Sequence, residues 1–276
     1  MNSLRWTKSL ALTHLLLIGG VIVSILPLLW MATGSVKQVS DIFSYPPKLI
    51  PSPATLESYR RLFAEVPFTR WFVNSVVTSL VATVCAVFFC ALAGYAFAKF
   101  DFRGKRFLFD VMFSSLMVPF AVILVPLFIL VTRLGWADSY TALIVPWVAP
   151  AFGIFLMRQF ISGLPDELIQ AARIDGCSEF RLFRSIMLPL ARPALGTVGI
   201  LIFIASWNSF IWPLVMMRSE DMFTLPVGIA GLNSEQSPEY GKIMAAAVLS
   251  SLPIVTVFFL MQRQIIAGLT QGAVKA

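Results

Sequence analysis

Hydrophobic positions along the chain fall into six long blocks, at 13–33, 71–97, 108–131, 141–161, 194–217 and 242–262. Each is close to the ~20 apolar residues that an α-helix needs to cross a bilayer. The pattern predicts an all-α polytopic membrane protein with six transmembrane helices. Residues 1–70 form a first helix and an external loop, 71–262 hold the other five helices, and 263–276 form a tail.

Prolines recur inside the blocks, at Pro27, Pro119, Pro126, Pro146, Pro150, Pro213 and Pro253. Neighbouring helices and water can satisfy the carbonyls that a proline frees. The resulting kinks either line a path through the bundle or serve packing alone, and the sequence leaves both open.

Composition supports the membrane reading. The chain is 58% hydrophobic and only 13% charged, more apolar surface than a soluble domain of this length can hide. Its net charge of +7 comes with no RNA- or DNA-binding signature, so nucleic acid is not an expected partner. The basic residues gather between the blocks. Arg5, Lys8, Lys99, Arg103, Lys105, Arg106, Arg158, Arg173, Arg181, Arg184, Arg192, Arg263 and Lys275 all fall on one face. That face is expected to be cytoplasmic, with both termini inside. The run ending at Met31 reads as a retained first helix, with a cleaved signal as the alternative. Segment 34–70 reads as an external lid without chemistry, carrying a short amphipathic helix that Thr55 caps and that runs through Phe63.

Several chemistries lack their equipment. The three cysteines (Cys85, Cys90 and Cys177) and the single histidine, His14, have no metal-ligand spacing, so no metal site is expected. No block carries an acid or base at its centre, the usual mark of a proton- or sodium-driven path. No nucleophile–base set or paired carboxylates suggest catalysis. No phosphate-cradling GxxxxGK[ST] loop is present, so any ATP and Mg2+ must be used by another subunit.

One stretch is out of character. "QAARIDGCSEFRLFRSIMLP" (Gln170 to Pro189) is a charged piece between the fourth and fifth blocks. Pro165, Asp166 and Glu167 predict a helix start. Leu164, Leu168, Ala171 and Ala172 cluster on one side of that helix, with Asp166, Glu167, Gln170 and Arg173 opposite. Gly176 predicts a left-handed turn, and Ser178 predicts the cap of a second helix. There Leu182, Phe183, Ile186 and Met187 share one face, Arg181, Arg184 and Ser185 another, and Pro189 ends the helix. By spacing alone, this hairpin at 163–190 is either a protruding docking element or a pair of helices lying flat on lipid headgroups.

The stretch resembles the EAA loop of ABC-importer permeases: EAA, a few residues, glycine, about nine residues, then I-x-L-P. Ala171, Ala172, Asp175, Gly176, Ile186, Leu188 and Pro189 fit; Gln170 stands where the family usually has glutamate, and Cys177 replaces a common alanine. "NSVVTSLVATVCAVFFCALAGYAFAKFDFRGKRFLF", "LGWADSYTALIVPWVAPAFGIFLMRQF", "WNSFIWPL" and "IIAGLTQGAVKA" are similar to the carbohydrate-uptake branch of the maltose-permease G type. The resemblance implies the type I ABC importer fold, with 71–262 as its permease domain. It also implies a subunit with no catalysis of its own, working with a second permease, two ATPases and an extracytoplasmic solute-binding protein in the cytoplasmic membrane to import a sugar or oligosaccharide. Gln170, Ala171, Ala172, Arg173, Asp175, Gly176, Arg181, Arg184, Ile186, Leu188 and Pro189 would then form the ATPase-coupling surface. Rival readings are an organophosphate importer and a scaffold that only docks an ATPase.

For solute contact, "ASWNSFIWP" places Ala205, Asn208 and Trp212 on one helical face. An indole can stack on a sugar ring and an amide can bond its hydroxyls. Equally, Asn208 can bond a neighbouring helix and Trp212 can belong to an interfacial aromatic belt.

Overall fold

The structure, a computed structural model, describes residues 2–233 and 239–271, with side chains for 13–233 and 239–262. The basic residues Arg5, Lys8, Arg263 and Lys275 that entered the orientation count therefore lie outside the described side chains. Among the described residues all regular structure is helical. In order the helices are α1 (Asn2–Gly34), α2 (Glu57–Glu65), α3 (Phe68–Lys99), α4 (Lys105–Ser114), α5 (Phe120–Arg133), α6 (Tyr140–Ile144) and α7 (Ala151–Ser162). Then come α8 (Asp166–Ile174), α9 (Glu179–Leu182), α10 (Leu188–Leu190), α11 (Arg192–Trp207), α12 (Ile211–Met216), α13 (Leu225–Gly231) and α14 (Tyr240–Gln271). The last continues through 263–271, which the hydropathy pattern left to the tail.

Among the described residues four segments are long and apolar enough to cross a membrane: Thr13–Gly34, Phe68–Lys99, Tyr140–Ser162 and Tyr240–Gln262; the number reaches six if each of two bent helix pairs is one span. Two expected spans are not single rods. The block 108–131 is broken into Lys105–Met117 and Phe120–Arg133, bent by 107°. Pro119 forces this, because the residue before a proline is pushed out of helical geometry; Val118 is extended, with ψ 116°. The block 194–217 stops at Trp207 and restarts at Ile211, since the Pro213 ring would strike the Ser209 carbonyl of a continuous helix.

Two compact units are present, one made of Met1–Phe68 and Ile229–Leu252, the other of Thr69–Gly228 and Pro253–Ala276. In the first, the Thr55 hydroxyl accepts the Glu57 N–H at 3.1 Å and so starts α2. Glu65 at its end accepts from Arg61 at 2.8 Å and from Lys242 at 2.7 Å, and Arg61 also reaches Glu239 at 3.1 Å. These cations, Arg61 first, hold the Glu65 carboxyl down at about 2. The segment between α1 and α3 is thus tied to the start of α14 by charge as well as by apolar contact.

The second unit is organised by α3 against α7. On α3, Cys90 and Gly94 face α7 with little side chain between the backbones, and Ala86 and Ala91 share the same buried core. A Cβ on Gly94 would lie 2.6 Å from the Met157 Cβ and 2.9 Å from the Arg158 amide nitrogen. One on Gly153 would lie 2.7 Å from the Cys90 sulfur. Small residues at such a crossing replace the hydrophobic drive that lipid does not supply, because backbones in close approach gain dispersion contacts. The same core takes in Val198 and Ile202 of α11.

Gly94→Leu is therefore expected to destabilise the subunit by roughly 1–3 kcal/mol, the usual cost of overpacking. Gly20→Ala is expected to be neutral, since nothing lies within 4 Å of a Cβ there. Thermal melting of the detergent-solubilised subunit, expressed alone, checks both; an unchanged midpoint for Gly94→Leu would contradict the close crossing.

Candidate functional site

The hairpin forms as its sequence predicts and gains a definite seat. Helix α8 begins after Pro165 and ends in a Schellman turn. The Cys177 N–H bonds the Ala172 carbonyl at 3.0 Å and the Gly176 N–H bonds that of Arg173 at 3.1 Å. Gly176 sits at φ +77°, with nothing within 4 Å of a Cβ there, so glycine is required by the backbone and not by space. The Ser178 hydroxyl accepts the Arg181 N–H and caps α9. The second helix does not end at Pro189. It widens into a π-turn over Phe183–Met187 and continues to Leu190; the wider turn removes the clash between the proline ring and the preceding carbonyls. A 79° bend then leads into α11.

Burial divides the hairpin in two. Leu182, Phe183 and Met187 are buried, as predicted, with Ile186 half-buried beside them. They join the α3–α7 core instead of facing headgroups. On α8 the expected apolar side splits. Ile169 and Ala172 enter the core with Leu164 against it, whereas Leu168 and Ala171 point outward. Ile174 is 86% exposed and Phe180 66% exposed, which leaves two large apolar side chains uncovered on either side of the turn. Gln170, Asp175, Arg181, Arg184 and Pro189 are exposed as well.

Three polar links hold the hairpin to the end of α3. Lys99 donates to the Leu164 carbonyl at 2.7 Å and to Asp166 at 2.5 Å. The Tyr95 hydroxyl donates to Glu179 at 3.1 Å, and Arg173 donates to the other oxygen of Glu179 at 2.7 Å. The Glu179 hydrogen bond raises the pKa of Arg173 further. Arg173, counted among the outward cations from sequence, is thus an internal strut across the turn. Arg181 and Arg184 have no ion pair among the described residues. Gln170 faces a polar recess of about 230 Å³ with Lys99, Asp101, Asp166 and Arg173. Lys99 is paired with Asp166, Arg173 with Glu179 and Asp101 with Lys105, so a neutral amide leaves that charge balanced.

A second feature lies between the broken helices. A cavity of about 580 Å³ is walled by Phe120, Trp147, Phe210 and Trp212, with Asn208 and Ser209 as its polar side chains. Asn208 caps the end of α11 and its amide makes no hydrogen bond among the described residues. Trp212 is 3% exposed and donates its indole N–H to the Ala142 carbonyl at 2.8 Å. It is a wall with its polar end already used. Ala205, Asn208 and Trp212 do meet at this cavity, but through a break in the chain and not on one helical face. Phe120, Trp147 and Phe210 went unnoticed in the sequence. The signal was present in "VPWVAP", a tryptophan between two prolines that cannot both sit inside one regular helix.

Comparison with known proteins fits these features. Residues 86–271 match the family model of the binding-protein-dependent transport system inner membrane component. The chain belongs to that family. It is 41% identical over 256 residues, 92% of each chain, to the arabinooligosaccharides transport system permease protein AraQ of Halalkalibacterium halodurans. It is 33% identical to the sn-glycerol-3-phosphate transport system permease protein UgpE of Escherichia coli, covering 94% of this chain and 95% of the other. A chain in the crystal structure of a bacterial ABC transporter that imports the acidic polysaccharide alginate superposes with TM-score 0.83 at 22% identity, covering 94% of this chain and 97% of that one. The fold is that of the type I importers, and the protein is a multi-pass inner-membrane permease subunit.

In this permease the Gly176 turn sets the angle between α8 and α9. Gly176→Val is expected to insert normally into the membrane yet lose most of its ATP-driven transport. A β-branched side chain at φ +77° strains the turn by ~1–2 kcal/mol or more. Gly176→Asn, which tolerates that conformation, is expected to retain transport. Co-purification of a partner ATPase together with solute uptake checks the pair, and full activity of the valine variant would show that transport does not depend on the geometry of this turn.

Proposed function

We propose that this chain forms half of the translocation pathway of an ATP-binding-cassette importer for a neutral sugar or oligosaccharide. A second permease completes the path, two separate ATPases use ATP and Mg2+, and an extracytoplasmic binding protein delivers the solute. The chain itself binds no cofactor and performs no catalysis. The observation that carries the substrate class is the cavity beside Asn208. Its walls are aromatic, its open polar groups are an amide and a hydroxyl, and among the described residues no ionisable side chain lines it. Aromatic faces suit the apolar faces of sugar rings, and an unpaired amide suits hydroxyls. A path for phosphate esters would favour a cation at such a place. The relationship to a permease named for arabinooligosaccharides supports the same reading.

The hairpin serves as the coupling element. Its exposed Leu168, Ile174 and Phe180 form an apolar patch for a cleft on the ATPase, with Arg181 and Arg184 beside it. Closure of two ATPases would pull on two such hairpins, and the links from Lys99 and Tyr95 would pass the movement into α3. Both termini and the hairpin face the cytoplasm, following the basic residues.

Two measurements test this. In proteoliposomes holding the complete transporter, Asn208→Ala is expected to lower sugar uptake about 3- to 10-fold, the worth of one hydrogen bond. ATPase assembly should be unchanged and glycerol phosphate should not be taken up. Unchanged uptake in the variant, or preferred uptake of glycerol phosphate, would remove the cavity from the path. For orientation, a subunit whose only cysteine is Cys177 is expected to react with a membrane-impermeant thiol reagent from the cytoplasmic side alone. Labelling from outside in intact cells would invert the topology.

A further inference from the structure

A second large cavity, of about 640 Å³, opens on the hairpin side of the larger unit, away from the aromatic one. It is lined by Phe97 at the end of α3, by Asp101, Phe102 and Gly104 in the following loop, by Lys105, Arg106, Phe107, Phe109 and Asp110 of α4, and by Arg158 of α7. Its charges do not cancel. Asp101 is matched by Lys105 at 3.2 Å, and Asp110 lies 3.8 Å from Arg106, each pair four residues apart along the chain. Arg158 has no acid. Its guanidinium lies over the Phe109 ring, 4.0 Å from the centroid, and its Nε is buried with no hydrogen-bond partner. A cation–π contact holds the charge but leaves the N–H donors unspent. A half-buried arginine with idle donors is costly unless an anion answers it.

The surroundings say what kind of anion. The pocket takes in the first turn of α4, whose cap Gly104 supplies no side-chain hydrogen bond, so the positive end of the helix adds to the arginine. Immediately beyond, α4 presents Phe107 at 70% exposure, Leu108 at 50% and Val111 at 54%. In a membrane-spanning chain such a surface lies against acyl chains. A basic pocket contiguous with a lipid-facing helix matches a molecule that is anionic at one end and apolar at the other.

We propose that this pocket binds the phosphate of an anionic phospholipid headgroup, with Arg158 as its principal contact and the acyl chains along Phe107, Leu108 and Val111. Guanidinium forks onto phosphate oxygens, and the Lys105 and Arg106 side chains with the Arg106 and Phe107 amides of α4 close the site. Asp101 and Asp110 stay engaged by their own basic neighbours. The bound lipid would sit beside both the α3–α7 crossing and the loop leading from Lys99, next to the parts that seat the hairpin.

The test is native mass spectrometry of the complete transporter, stripped of lipid in detergent and titrated with phosphatidylglycerol or phosphatidylcholine. Wild type is expected to hold one phosphatidylglycerol per copy of this chain in preference to phosphatidylcholine. Arg158→Gln is expected to bind it about tenfold more weakly or worse, because the forked contact is lost. Arg103→Gln, at an exposed loop arginine that does not line the cavity, is expected to bind as wild type does. If Arg158→Gln fails to assemble, Arg158→Lys serves in its place, keeping the charge without the fork and binding at intermediate strength. Equal binding by wild type and the Arg158 variants, or equal binding of the two lipids, would overturn the proposal. Displacement of the lipid by millimolar inorganic phosphate would also overturn it, by making the pocket a site for free anions.

Discussion

Gly94 of α3 lies so near the Met157–Arg158 backbone of α7 that no side chain can stand between them, and Cys90 fills the matching space beside Gly153. Much of the larger unit is referred to this crossing. It brings the end of α3 over the start of α8, so that Lys99 reaches Leu164 and Asp166 while Tyr95 reaches Glu179. It also creates the core into which Ile169, Ala172, Leu182, Phe183 and Met187 insert. The hairpin is therefore an extension of the transmembrane core and not an appendage on a flexible stalk. A force applied at its tip has a stiff route into α3, through packed side chains and charge-assisted hydrogen bonds.

Proline acts in two ways in this chain. Pro27, Pro126 and Pro253 lie within continuous helices. Pro119, Pro146, Pro150 and Pro213 stand at or beside breaks, and the 580 Å³ cavity is lined by Phe120, Pro146, Pro150 and the segment from Asn208 to Trp212. Irregular backbone at membrane depth is tolerated where it borders protein or a water-filled space. That condition explains why the breaks converge on one cavity, and why the unpaired Asn208 amide is found there. The cations on the hairpin side follow a comparable division. Lys99, Lys105 and Arg173 have acids within the chain, while Arg158, Arg181 and Arg184 have none among the described residues.

Most of the architecture was legible in the sequence because lipid is a strict solvent. It demands about 20 apolar residues per crossing and closed backbone hydrogen bonding, so hydropathy alone marked the spanning segments. The hairpin was legible too. Gly176 and Ser178 act locally, through a left-handed turn and a cap, and local chemistry does not wait for the rest of the fold. The buried face of the second helix, Leu182 to Met187, followed from its period.

What needed the tertiary structure were the relations between segments. Periodicity put Leu168 and Ala171 with Leu164 and Ala172, but a helix caught between a core and an open side buries only the arc that the neighbouring helices reach, here Ile169 and Ala172. Hydropathy cannot register a 107° bend at Pro119, since apolar residues flank it on both sides. Nor can it tell a Trp212 with its N–H committed to Ala142 from one open to a ligand. Sequence by itself determined the solvent, the helices and the turn chemistry, because each depends on residues close along the chain. Tertiary structure decided which polar groups were already partnered, and so which remained free to act: Arg173 was taken by Glu179, while Asn208 and Arg158 were not. Partnership depends on distances between residues far apart in the chain, and nothing short of the folded arrangement sets those distances.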